Sequence, residues 1–408
     1  MISSIINVIL YSIVLFMWYR QKRYNLGTMV IPMLYALTAI LCMLNYIYEP
    51  KLWKLSTLPF VYMFVVYLIL MIPFKQIAPY KVNSVTIRNE RLVDYFIYIY
   101  IFMAFYSTYI TIDYAINAFQ TGDWLAVRND MYYGEEKNWT PFQKVCLNGY
   151  AMLHTLAEVW LFYVISLYRR KRKNIFYIIL LAVAVFLPVL VSSVANAARG
   201  VLFYMVIEAF IIYYIFKGHY PRRFNRAILV FSIVVVFFSL LLSISITFSR
   251  FDDDSSNQLM LYFGHSMNSF NYGVMDTIRS YEGGRWFLGS YYDIFFPGKH
   301  IQIISPDDSL GTHMGTAFIT IIGCLYVDFG PIFTIIMAMV IAAVFARKKL
   351  SNNATFANLY LYSVYASFIA EGVFVEGKAY GMKLIIMVLI FYVINYKSIN
   401  YKKAFRVA

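Results

Sequence analysis

The chain has 408 residues, of which 61% are hydrophobic, 19% aromatic and only 14% charged, with a mean hydropathy of +0.63. No soluble globular domain tolerates so apolar a composition, and the sequence describes a polytopic membrane protein. The net charge of +14 does not point to nucleic acid, because Lys and Arg fall mostly in short clusters between apolar runs, the pattern that orients helices in a bilayer.

A helical span needs about 20 apolar residues, and about eleven segments qualify. The first, Ile2 to Trp18, has no basic residue ahead of it and Arg20, Lys22 and Arg23 behind it. A cleavable signal peptide has the opposite charge order, so this is expected to be a retained helix that starts outside. The second, Thr28 to Tyr48, leads to a short outer loop with Glu49, Lys51 and Lys54, and the third, Leu58 to Ile72, returns to an inner loop with Lys75, Lys81, Arg88 and Arg91. The fourth, Tyr95 to Ile112, reaches a first outer loop, Asp113 to Thr140. The fifth, Val145 to Tyr168, ends at the basic run Arg169 to Lys173, the strongest cytoplasmic marker in the chain. The sixth, Ile175 to Val191, turns outside around Asn196 and Arg199. The seventh, Val201 to Phe216, ends at Lys217, Arg222, Arg223 and Arg226. The eighth, Ala227 to Phe248, delivers the chain to the longest polar interval, Ser249 to Met314, expected to be a large outer loop.

The run Gly315 to Ala346 is too long for one span and too short for two. Its break is Asp328-Phe329-Gly330-Pro331, where Pro331 suits the first turn of a new helix and Asp328 suits a cap. Two crossings would place Arg347, Lys348 and Lys349 outside, so a short re-entrant helix, Thr316 to Val327, followed by a ninth span from Pro331 is expected. The tenth, Thr355 to Phe374, and the eleventh, Tyr380 to Ile394, complete an all-α, N-out, C-in protein. No G-x-x-x-x-G-K-[ST] segment is present, so a substrate is expected to arrive already activated. Cys42, Cys146 and Cys324 have no metal-ligand spacing, and no cofactor is indicated.

Four groups of residues could carry chemistry. Arg199, Arg250, Arg279 and Arg285, with Arg128 in the first outer loop, could hold a pyrophosphate through paired guanidinium donors, or could simply anchor helix ends at the headgroups. His313, His265 and His300 are candidate proton acceptors, with His313 nearest the expected membrane surface; the ordinary reading of each is a loop histidine. His154 and Glu158 share a face of the fifth span and Glu208 lies midway along the seventh; groups at such depth cost about 2.5–3.5 kcal/mol on insertion scales and face a partner or a cavity. A structural pair, catalysis and proton coupling are all open to them. Finally, Trp124, Tyr132, Tyr133 and Trp139, with Tyr281, Trp286, Tyr291 and Tyr292, suit sugar C–H faces or serve as interface anchors.

Ala198-Arg199-Gly200 opening a span, Ser249-Arg250-Phe251 closing one, and Gly315 to Gly330 ending in Tyr326-Val327-Asp328-Phe329-Gly330 resemble the bacterial O-antigen and capsule repeat-unit polymerases of the Wzy type. The arginine-to-glycine spacing of some members is not reproduced by Arg279 and Gly289. The resemblance implies a GT-C-like, metal-independent glycosyltransferase of the bacterial cytoplasmic membrane. It would transfer a growing glycan from undecaprenyl pyrophosphate to a sugar hydroxyl at the outer face. Its partners would be the lipid-linked oligosaccharide, membrane lipids and a chain-length regulator, with no nucleic acid. In that reading Arg199, Arg250 and His313 are catalytic, while Arg285, Arg279, Trp286, Tyr281 and Arg128 bind substrate. A lipid-linked oligosaccharide flippase and an O-antigen ligase are the rival readings.

Overall fold

A computed structural model describes residues 1–20, 26–51, 53–75, 84–87, 90–124, 126–127, 139–168, 174–217, 220, 222–251, 264–275, 281–289, 292, 296, 319–346, 353–374 and 380–395. Its long helices are α1 (Ile2–Arg20), α2 (Leu26–Tyr48), α3 (Thr57–Leu70), α4 (Glu90–Thr121), α5 (Pro141–Tyr168), α6 (Ile175–Ala195), α7 (Arg199–Phe216), α8 (Arg222–Phe251), α9 (Ile321–Ala346), α10 (Phe356–Glu371) and α11 (Tyr380–Asn395). Each expected apolar segment is met by one of these helices. Among the described residues six helices are long and apolar enough to cross a membrane, or seven if Pro141–His154 and Ala157–Leu167, bent by 61°, form one span.

One expected boundary moves, and two features go beyond the expected spans. The fourth helix does not stop at Ile112 but runs on to Thr121, with Ala115 and Ala118 buried, so much of the expected first loop is helix. Besides the helices, two three-residue strands, β1 (Ser84–Thr86) and β2 (Asn353–Thr355), pair in parallel and mark the strand end of the bundle. Finally, part of the expected large loop is buried among the helices. Residues 264–275 form a helical plug whose Met267, Phe270, Asn268 and Asn271 are fully buried. Most of its remainder, including 252–263 and 297–318, lies outside the described residues.

Packing follows from apolarity. α1, α2 and α3 form one group and α4, α5 and α6 another, while α7 touches both and α9 lies against α3. Leu229, Val230, Ile233, Phe237 and Phe238 on α8 remain exposed, as do Ile9, Ile13 and Phe16 on α1. Exposed apolar surface of this extent fits a helix bundle embedded in a membrane. The helix α10 is the opposite case: every residue from Phe356 to Glu371 except Asn358 is buried. A helix buried on all sides lies in the middle of the bundle. Thr355 caps its start by accepting from the Asn358 N–H at 3.3 Å, and Tyr365 donates to the terminal Leu70 carbonyl of α3 at 2.7 Å.

The plug is fastened at the end opposite the strands. The Asn268 amide donates to the Cys42 carbonyl at 2.9 Å; Asn271 donates to the Ser56 carbonyl at 2.7 Å and accepts from the Ser56 N–H at 3.0 Å. Gly264 lies so close to α2 that a Cβ there would meet the Leu41 carbonyl oxygen at 2.5 Å. His265, against the Trp53 ring, is buried, which pushes its imidazole from 6.5 down to about 4. The unfolded chain binds the extra proton between those values. The stabilising contribution is therefore complete above pH 6.5 and is lost as the pH falls toward 4. Thermal denaturation in nanodiscs should show stability declining through this window, and His265→Gln should decline less. Parallel curves would assign the decline to another group.

Candidate functional site

The helix α9 is broken at Gly330, whose φ of 73° and ψ of −178° lie in a region almost closed to other residues. The first half, from Ile321, is buried along its length through Asp328. Thr320 caps it by accepting from the Gly323 N–H at 3.2 Å, and the Ile321 N–H donates to the last-turn carbonyl of Gly372 at 2.7 Å. Thr320 and Pro331 contact neighbouring α3 residues, Met63 at 3.8 Å and Tyr62 at 2.7 Å. Both ends of this half-helix therefore lie against α3.

The break frees carbonyls. Pro331 has no N–H for Val327, and the turn at Gly330 removes the donor for Asp328. The segment 281–286 supplies both: Glu282 N–H donates to the Val327 carbonyl at 3.0 Å and Gly283 N–H to the Asp328 carbonyl at 2.9 Å. The Asp328 carboxylate then accepts from the Trp286 N–H through Oδ1 and from the Tyr380 hydroxyl through Oδ2, both at 2.8 Å. Asp328 was expected to cap the following span; instead it fastens a one-turn helix, Arg285–Leu288, and α11 to the half-helix.

This places three of the expected substrate residues side by side. Tyr281 is 41% exposed, Arg285 is half-buried and Trp286 is buried, its indole N–H without a hydrogen-bond partner among the described residues. Burial raises the Glu282 carboxyl above its ordinary value, while the neighbouring Arg285 opposes the rise. The backbones of Arg199 and Arg250 stand at the start of α7 and near the end of α8. Phe203, one turn beyond Arg199, meets Phe374 just past α10 with ring centroids 5.5 Å apart. Arg199 therefore belongs to the end of the bundle that holds Asp328. Arg128, Arg279, His300 and His313 lie outside the described residues, as do Tyr132, Tyr133 and Tyr291. Trp124 is buried against Ala118 and Ala197, and Trp139 packs on Tyr114.

A second centre lies inside the bundle. Glu371 at the end of α10 accepts from Lys383 of α11 at 3.0 Å, one turn along α11 from Tyr380. Glu208 of α7 is a hydrogen-bonding neighbour of Glu371, and Glu158 and His154 of α5 are within its electrostatic reach. His154 is held by Tyr100 of α4, with Nδ1 3.0 Å from the hydroxyl. Pro188 in α6 leaves the Ala184 carbonyl without its helical donor, and the Tyr100 hydroxyl donates to that carbonyl at 3.0 Å. With its proton so committed, Tyr100 accepts from His154, which fixes the proton on Nδ1. The sequence singled out His154, Glu158 and Glu208 but not Glu371 or Lys383. A Lys and a Glu within apolar segments were the available signal.

Compared with known proteins, the chain matches no family model, no curated protein and no solved structure. Fold and composition define its class: an α-helical, polytopic membrane protein. The break gives a sharp test. Gly330→Ala combines a forbidden backbone with a Cβ 2.8 Å from the Tyr281 ring, and should cost about 1–3 kcal/mol. Tyr380→Phe, which leaves a buried carboxylate oxygen without its donor, should also cost about 1–3 kcal/mol. Both are read by denaturation of the purified variants, and an unchanged midpoint in both would remove the break as a structural requirement.

Proposed function

We propose that the chain is a membrane glycosyltransferase that polymerises lipid-linked oligosaccharide repeat units. In this reading the end holding Asp328 is the outer face, and the strand end with the basic clusters is cytoplasmic, giving N-out and C-in. The growing glycan leaves undecaprenyl pyrophosphate and is joined to a sugar hydroxyl of the next unit. The bond from the anomeric carbon to the pyrophosphate oxygen breaks, the glycosidic bond forms, and the hydroxyl proton passes to a base, for which His313 is the first candidate. Negative charge gathers on the departing pyrophosphate, where fixed positive charge is most effective. Arg199, Arg250 and Arg285, with Arg279 and Arg128, are the residues proposed for that role.

The observation that carries this reading is the turn fastened by Asp328. It sets a guanidinium and an exposed tyrosine ring on a rigid support at the end of the bundle where α7 brings Arg199. That mixture of cation and aromatic face suits a phosphorylated sugar. A specific observation favours a second reading, a flippase or exporter of the same lipid-linked glycan: the ionisable groups inside the bundle, which transport across a membrane commonly employs.

Deletion of the gene in its host, followed by gel analysis of surface polysaccharide, separates the two. Collapse of a ladder to single repeat units supports polymerisation, loss of all capped lipid supports transport or ligation, and an unchanged pattern removes all three. Within the first outcome, Arg250→Ala should reduce chain extension by about 100-fold or more with membrane insertion intact. A normal ladder in that variant would take Arg250 out of the site.

A further inference from the structure

The cluster inside the bundle contains a group that the preceding reading does not use. Glu158 is 1% exposed, and neither carboxylate oxygen has a hydrogen-bond partner among the described residues. A bare carboxylate in that setting would be held against two further acids, because Glu371 and Glu208 both act on it electrostatically. Their only neighbouring ammonium, among the described residues of the cluster, is Lys383, and it already donates to Glu371. With three carboxyls against one ammonium, electroneutrality in a low-dielectric interior needs further positive charge.

The surroundings define which cation fits. Facing Glu158 are Tyr100 from α4, Tyr150 from α5 itself, Glu208 from α7 and Glu371 from α10, while His154 of α5 and Lys383 of α11 act on Glu371. The helix α6 has a single titratable side chain, Tyr177, whose charge neighbours are Asp94 and Tyr98 instead. Among the described residues no three His, Cys, Asp or Glu groups are arranged to hold a metal ion. A proton needs only one oxygen. Lys383 keeps 35% of its side-chain surface accessible, against 11% for Glu371, so the cluster is reached along this ammonium rather than through Glu158.

We propose that Glu158, Glu208, Glu371 and Lys383 form an intramembrane proton-binding site, in which Glu158 takes up and releases a proton while Lys383 and Glu371 stay ionised. The proton comes from water reaching Lys383 and returns to it, and uptake converts the Glu158 carboxylate to a neutral carboxylic acid. Glu208 supplies a second carboxyl that shares a hydrogen with Glu371, so the loaded cluster is neutral. His154, with its proton fixed on Nδ1, leaves Nε2 as an acceptor within the same group. This site rests on neither glycan reading, since it requires only the interior of the bundle.

Infrared spectroscopy of the full chain in lipid nanodiscs tests it directly. At neutral pH the wild-type protein should show a protonated-carboxyl stretching band that shifts in deuterium oxide and bleaches reversibly as the pH is raised. Glu158→Gln, which mimics the loaded carboxyl in shape, should lose the Glu158 component of that band, and Glu208→Gln should retain it. A Glu158→Gln spectrum identical to wild type, or a band that persists until the protein unfolds in alkali, would overturn the proposal. Should Glu158→Gln fail to insert, Glu158→Asp is read in its place: a shift in the band supports the site and an unmoved band overturns it. Polysaccharide is not the readout, so failure of either glycan reading leaves this result standing.

Discussion

The break at Gly330 and Pro331 is the constraint on which one end of the molecule depends. Within a membrane a carbonyl that loses its helical donor must find another, because each unsatisfied group costs several kcal/mol. Here two adjacent carbonyls are freed, and the donors come from residues 282 and 283, more than forty positions earlier in the chain. The segment that satisfies them cannot lie elsewhere, and its position fixes Tyr281, Arg285 and Trp286. Asp328 then adds α11 to the same joint through Tyr380, while Tyr62 donates to the Pro331 carbonyl from α3.

The same logic appears a second time, deeper in the bundle. Pro188 frees the Ala184 carbonyl and the Tyr100 hydroxyl replaces the missing donor. In that case the replacement also sets the tautomer of a histidine, so a local defect in one helix determines the chemistry of a side chain on another. Both prolines therefore act through the partner that repairs them. The repairing groups, 282–283 and Tyr100, are the ones that bring arginine or histidine into position.

Much of the helical layout was legible because apolar length and basic clusters are local properties. The break in α9 was legible too, since Gly330-Pro331 carries its backbone preference in two adjacent residues. What escaped was non-local. Nothing near Asp328 announces that its carboxylate will receive Trp286 and Tyr380, and nothing near Glu371 names Lys383 as its partner. The plug at 264–275 escaped for a related reason: its Asn, Ser and His residues read as solvated loop. They are in fact buried against α2 and the start of α3, where the Cys42 carbonyl takes the Asn268 amide and Ser56 pairs with Asn271. Of the candidate arginines, only Arg285 gained a described environment, because its placement follows from the repaired break.

The enclosed position of α10 bears on how the protein is made. At 16 residues it spans about 24 Å, short of a bilayer's apolar thickness of about 30 Å. It also carries the hydroxyls of Ser363, Ser367, Tyr360, Tyr362 and Tyr365 into the interior. Such a segment has no lipid-facing side to hold it while its neighbours are still being synthesised. Its acid, Glu371, is neutralised by a lysine on the very next helix, so α10 and α11 are suited to leave the insertion machinery together as a hairpin. The middle of the bundle is filled only when this pair enters.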